Sequence, residues 1–184
     1  MMIEPSWYPR IRPHPDYENA RVILIDTNII SRAAVREQWD DVLSFVFNSP
    51  PQKLRLKINA QVLYESLGAG ADSMNPERAS QQRSFIMAYR LSGKILVEDT
   101  FAPFFARDRL MVFDAVQPVL AATNLSLTDS RIAADAIVNS LPLLCSERRM
   151  REGLRKALGN ARLVRMLKTR GLPVTYDDIV LPYP

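Results

Sequence analysis

Residues 22–30 read Val-Ile-Leu-Ile-Asp-Thr-Asn-Ile-Ile, a short apolar run that ends on an acid. Four consecutive apolar residues, three of them β-branched, fit a strand covered on both faces, as in the middle of a parallel sheet. Asp26 then stands where that strand emerges, and open α/β sheets bind ligands at the carboxyl ends of their strands. A carboxylate in that position is costly unless something pairs with it. A hard cation such as Mg²⁺ or Mn²⁺, which takes oxygen ligands, is one such partner.

The remaining pattern alternates strands and helices. After the first strand (22–26) a helix is expected through Trp39, Val42, Leu43, Val46 and Phe47, stopping before Ser49-Pro50-Pro51. Residues 54–58 alternate apolar and basic, predicting a second strand with one polar face. A helix follows from Asn59 or Ala60 until Gly68 and Gly70, and Asn75-Pro76 looks like the cap and first position of another, closed by Gly93. Residues 94–97 are a third strand candidate, 104–122 a helical region with Pro118 marking a kink or a break, and 128–139 a further helix. A fourth strand is expected at 142–145, helices at 148–158 and 161–169, and a last edge strand at 173–176. Such alternation implies crossover connections and an α/β fold with a mostly parallel central sheet. The Pro-rich, aromatic residues 1–20 read as an extended arm lying on a surface, of this chain or of a partner, ahead of a single domain at 21–184.

Composition limits the chemistry. His14 and Cys145 are the only His and Cys in 184 residues, which excludes a Cys/His zinc site and an intrachain disulfide framework. The lone Cys fits a reducing compartment, hence the cytoplasm, and nothing reads as a signal peptide or a membrane span. Carboxylates must carry most of any catalysis. Charge is uneven: residues 148–170 hold nine basic side chains against the single acid Glu152. That segment suggests a polyanionic partner, with Arg148, Arg149, Arg151 and Arg155 as candidate contacts to it; the bland alternative is a solvated helix face.

Three acids join Asp26 as candidates. Glu65 lies near the start of the helix after strand two, where an ordinary exposed acid is the alternative. Asp129 shares a helix face with Ile132, Ala133 and Ala136 and so points inward, although Ser126-Leu127-Thr128-Asp129 also matches a capping box. Glu147 follows strand four through Ser146, where the alternative is a first-turn acid with Ser146 as cap. Asp135 falls on another face and is expected at the surface, paired with Arg131. If strands one and four are parallel neighbours, Asp26 and Glu147 emerge on one edge. A pocket of such acids destabilises the fold unless cations neutralise it, and one or two divalent ions would also activate water for attack at phosphorus.

These residues resemble the PIN-domain ribonuclease family, especially its VapC-like toxin branch. The likeness rests on Ile25-Asp26-Thr27-Asn28, Tyr64-Glu65-Ser66-Leu67-Gly68, the helix 129–136 and Leu143-Leu144-Cys145-Ser146-Glu147-Arg148-Arg149-Met150. It implies a three-layer α/β/α sandwich, Mg²⁺ or Mn²⁺ as cofactor, and cleavage of single-stranded or structured RNA. It assigns Asp26, Glu65, Asp129 and Glu147 to metal binding or water orientation, with Thr27 or Asn28 and Ser146 in support. An antitoxin or immunity protein and a second copy are the partners it implies. The fourth motif departs from the family, with Cys145 and Glu147 where Thr and Asp are usual.

Two other classes compete. One is a PIN-like module that has lost its chemistry and grips RNA or protein. The other is a phosphatase or phospho-acceptor domain, for which the haloacid-dehalogenase pattern wants a second Asp where this chain has Asn28. Phe101, Phe104, Phe105 and Phe113 are expected to pack a helical cap or to form an apolar dimer or antitoxin surface.

Overall fold

The apolar run forms β1 (Arg21–Ile25), whose last four residues are buried. A strand this apolar needs cover on both faces, and the chain supplies it. The computed structural model describes residues 3–35, 39–66, 76–98, 107–123 and 125–183. Among these, five parallel strands form one sheet in the order β3-β2-β1-β4-β5, with β2 at Leu54–Asn59, β3 at Ile95–Glu98, β4 at Leu143–Leu144 and β5 at Val180–Leu181.

Helices α1 (Thr27–Ala33) and α2 (Asp41–Asn48) connect β1 to β2, and α3 (Ala60–Ser66) and α4 (Pro76–Leu91) lie between β2 and β3. Then α5 (Arg107–Ala121) and α6 (Leu127–Val138) precede β4, and α7 (Arg148–Leu158), α8 (Ala161–Thr169) and α9 (Tyr176–Ile179) precede β5. The strand order runs one way from β1 to β3 and the other way from β4 to β5. Right-handed crossovers therefore put the two groups of helices on opposite faces, giving an α/β/α sandwich. The reversal between β1 and β4 is a topological switch point, and its crevice opens at the strands' carboxyl ends.

Several expectations are corrected. The region after β1 holds two helices, because Asp40 caps a fresh one by accepting from Leu43 N at 2.8 Å. In β2 the alternation suggested a polar face, but Lys57 is only 3% exposed, so that side of the strand is covered there too. The last edge strand is Val180–Leu181, not 173–176. Thr175 caps the short α9 there, which postpones the extended segment. Pro118 lies inside α5, which continues through it. The stops at Gly68 and Gly70, the cap at Asn75, and Phe101, Phe104 and Phe105 fall outside the described residues; Phe113 is buried in the core.

The N-terminal segment is packed on this chain and contains two 3₁₀ turns, so it is not extended. Trp7 and Tyr8 meet Phe45 of α2 edge-to-face, at 6.3 and 4.9 Å between ring centres. The Tyr8 hydroxyl donates to the Lys53 carbonyl at 3.3 Å, and Arg21 stacks over the Tyr8 ring while its Nε donates to the Ile11 carbonyl at 2.8 Å. The Pro5 carbonyl accepts from the Tyr8 amide, Pro9 and Pro15 lie at the starts of the two turns, and Pro13 bridges antiparallel to Arg21. Trp7→Ala is expected to lower unfolding free energy by about 3–5 kcal/mol, the range for deleting a large buried ring. Urea denaturation checks this, since a loosely laid arm would leave the midpoint unchanged.

Candidate active site

Asp26 is placed by the register of two strands. Ile25 pairs with Leu144, and the Asp26 amide donates to the Leu144 carbonyl at 3.3 Å, so the residues after β1 and β4 leave the sheet side by side. Asp26 is 2% exposed and caps α1, its Oδ1 accepting from Ile29 N at 2.8 Å. Its Oδ2 is buried and has no hydrogen-bond partner among the described residues. The carboxyl pKa is pushed up to about 7, first by desolvation and then by Glu147 and Asp129; the Ile29 and Ser146 amides oppose the shift. The Ser146 amide thus lies near enough to favour the anion without reaching Oδ2 in hydrogen-bond geometry.

The other acids arrive from separate elements. Glu147 is the N-cap position of α7, yet its side chain does not bond the helix. It instead accepts from Asn28 Nδ2 at 3.2 Å. Its pKa is raised by partial burial and by Asp129, with Arg149 pulling the other way. Glu65, on α3, accepts a short hydrogen bond from the Thr27 hydroxyl. Asp129 stands in the first turn of α6, whose N-terminus reaches this edge because the helix runs antiparallel to the strand it feeds. Ser126 caps that turn, accepting from Asp129 N at 3.0 Å, which leaves the Asp129 carboxylate facing inward at 3.7 Å from Arg149 Nη2.

One cavity of about 530 Å³ is lined by Asp26, Thr27, Asn28, Glu65, Asp129 and Glu147. Gln61, Tyr64, Ser126, Thr128, Ile132, Arg149 and Met150 complete its walls. The four acids therefore surround one space, although among the described residues no three of them close on a single point as a metal-ligating group. Thr27 and Asn28 each hold one outer acid. Sequence reasoning left out Gln61 and Tyr64 as site residues; their signal was the i, i+3, i+4 spacing with Glu65 on one helix face.

The basic residues divide. Arg149 faces the acids, and Arg148 is exposed and pairs with Glu152 at 2.6 Å. Arg151 donates to the Tyr183 carbonyl at 3.2 Å, and Arg155 lies over the Tyr176 ring at 4.3 Å. Those two line a second cavity of about 520 Å³ shared with Trp7 and Tyr183. Asp135, expected at the surface beside Arg131, is 1% exposed and accepts from Asn139 Nδ2 at 2.6 Å. Arg131 turns to Gln61 instead, donating to its Oε1 at 3.2 Å. The pairing failed because α6 is covered nearly all round beyond its first turn, every residue from Ile132 to Val138 being buried.

No family model matches the sequence, and no curated protein does. A similar fold occurs in a chain from the crystal structure of VapBC2 from Rickettsia felis bound to a DNA fragment from their promoter. The TM-score is 0.51 at 13% identity, over 89% of this chain and 99% of that one. The likeness is one of fold: a PIN-like three-layer sandwich on a parallel sheet. No helix among the described residues is long and apolar enough to cross a membrane.

The raised Asp26 pKa has a measurable consequence. The unfolded chain releases this proton near 3.8 and the folded chain near 7, so the group's favourable contribution is complete below 3.8 and is lost as pH rises to 7. Asp26→Asn keeps a cap acceptor and removes the titration. In EDTA, the variant is expected to match the parent near pH 4 and to exceed it by several degrees in Tm at pH 8. Thermal unfolding across that range checks this, and a pH-independent difference would contradict it.

Proposed function

We propose that this chain is a divalent-metal-dependent endoribonuclease that hydrolyses phosphodiester bonds in single-stranded or structured RNA. One observation carries the reading. Four acids from four separate elements line one cavity at the switch point, and the most deeply buried of them keeps an oxygen without a partner.

The donor set fits a hard cation. All four groups offer carboxylate oxygens, and Asp26 and Glu147 both bind protons more tightly, first through burial and then through the anions around them. A dication relieves that repulsion, where a bland structural role would not require it. Asp26, Asp129, Glu147 and Glu65 would hold Mg²⁺ or Mn²⁺. When bound, such an ion supplies activation of water and neutralisation of charge developing at phosphorus. Thr27 and Asn28 restrain Glu65 and Glu147, so the acids keep their places before the substrate arrives. Arg149 at the mouth, with exposed Arg148 beside it, offers guanidinium groups to the phosphates of an RNA strand.

The fold neighbour belongs to a two-protein assembly, VapBC2. By that analogy the reading extends to a small inhibitory partner and to pairing of two copies, as in the toxin of a toxin–antitoxin pair acting in the cytoplasm. A second reading, a binding module without chemistry, has one observation in its favour: Asp129 already has a counterion in Arg149.

A ribonuclease assay separates them. Cleavage is expected with Mg²⁺ or Mn²⁺, none in EDTA, and a fall of at least about 100-fold in Asp26→Asn. Mn²⁺ should also raise the Tm of the parent chain and leave that of Asp26→Asn unmoved. Cleavage that persists in EDTA rejects the metal-dependent reading. RNA binding in EDTA with no cleavage under any condition moves the chain to the binding-module class.

A further inference from the structure

The cavity contains more than acids. On α3 the residues Gln61, Tyr64 and Glu65 recur at i, i+3 and i+4, so one face of a short helix presents an amide, an aromatic ring and a carboxylate to the same space. Tyr64 is 54% exposed, which is unusual for a ring beside a deep crevice in a chain that buries Trp7, Tyr8 and Tyr183. Its neighbour Gln61 is held in place from α6. The Gln61 amide donates to Thr128 Oγ1 at 3.4 Å, and its carbonyl accepts from Arg131 Nη1 at 3.2 Å. That second bond fixes which end of the amide is oxygen and leaves a further N–H on Nε2.

Resting on the nuclease reading of the acids, we propose that Tyr64 and Gln61 form a nucleobase subsite. The base next to the scissile phosphate stacks on the Tyr64 ring, and the free Gln61 N–H meets an acceptor on that base's edge. Single-stranded RNA offers unstacked bases, and aromatic side chains bind them through their faces. Tyr64 and all four acids line the same cavity, so a base on this ring lies beside a phosphate held among them. The cavity, at about 530 Å³, has room for a nucleoside as well as a phosphate. A protein-binding ring would have no need of an oriented amide beside it, nor of a place inside the acidic crevice.

Two readouts test this. In cleavage of a single-stranded RNA, Tyr64→Ala is expected to lower kcat/KM by about 5- to 150-fold, the range for losing one stacked base. Tyr64→Phe keeps the ring and should stay within about 2-fold of the parent. Replacing bases one at a time by abasic sites should expose one position whose loss hurts the parent and not Tyr64→Ala. In the second readout, fluorescence anisotropy of labelled single-stranded RNA is followed with Mg²⁺ in an Asp26→Asn background. Adding Tyr64→Ala should weaken binding at least about 5-fold, with Tyr64→Phe again near the parent.

Unchanged kinetics and binding in Tyr64→Ala would overturn the subsite and leave the ring as a protein contact. Losses from Tyr64→Ala and from every abasic site that simply add would overturn it too, as would absence of RNA binding by the parent chain. If the parent binds RNA but never cleaves it, the nuclease reading fails while the anisotropy series still decides the subsite.

Discussion

The carboxyl group of Asp26 is held out of water at the end of the central strand, one oxygen committed to the first turn of α1 and the other left without a partner. Two strands fix it there through their register, so it cannot swing out to solvent without breaking the sheet. The rest of the crevice is arranged around that constraint. Glu147 leaves the neighbouring strand, Asp129 comes down from the head of α6, and Glu65 leans in from α3. Thr27 and Asn28, the two residues after Asp26, each donate to one of the outer acids, so a single turn of backbone organises both walls. Burial and mutual repulsion together hold the group half-protonated near neutrality, a state that a cation changes more readily than any side chain nearby.

Much of this was legible in the sequence because it rests on short-range rules. The run before Asp26 had to be a doubly covered strand, and the two basic helices fall at 148–158 and 161–169 as expected, broken at Gly159. Asp129 could be turned inward from its helical neighbours alone. The failures came where tertiary packing decides. Asp135 obeyed the i, i+4 rule on paper, yet its face of α6 is enclosed and the local partner was taken by Gln61. Lys57 looked like a solvent-facing strand residue and is buried. Lys94, almost fully buried, donates to the Ser49 and Leu54 carbonyls, and nothing in its neighbours announces that. Whether the acids close on one ion is a matter of tenths of an ångström, which spacing along a chain does not encode.

Helix α7 illustrates how one charged segment serves two purposes. Read as a string, its arginines form a single basic stripe. In space they separate by helical phase. Arg149 joins the acidic crevice, while Arg151 and Arg155 fasten the last residues of the described chain through a carbonyl and a ring. Gly153, on the buried side, allows Leu125 so close that a Cβ would sit 2.5 Å from its Cδ2. The helix is thereby packed closely against Leu125, two residues before the start of α6, the helix that carries Asp129.

The early residues Pro5, Ser6 and Trp7 and the late residues Val180, Leu181 and Tyr183 line one shared hollow. Segments so far apart along the chain that meet in this way are joined by packing and not by the path between them. A change at Trp7 therefore reaches Tyr183, and through it Arg151 of the helix that Glu147 opens. The hollow ties the stability of one wall of the crevice to an aromatic ring that lies outside it.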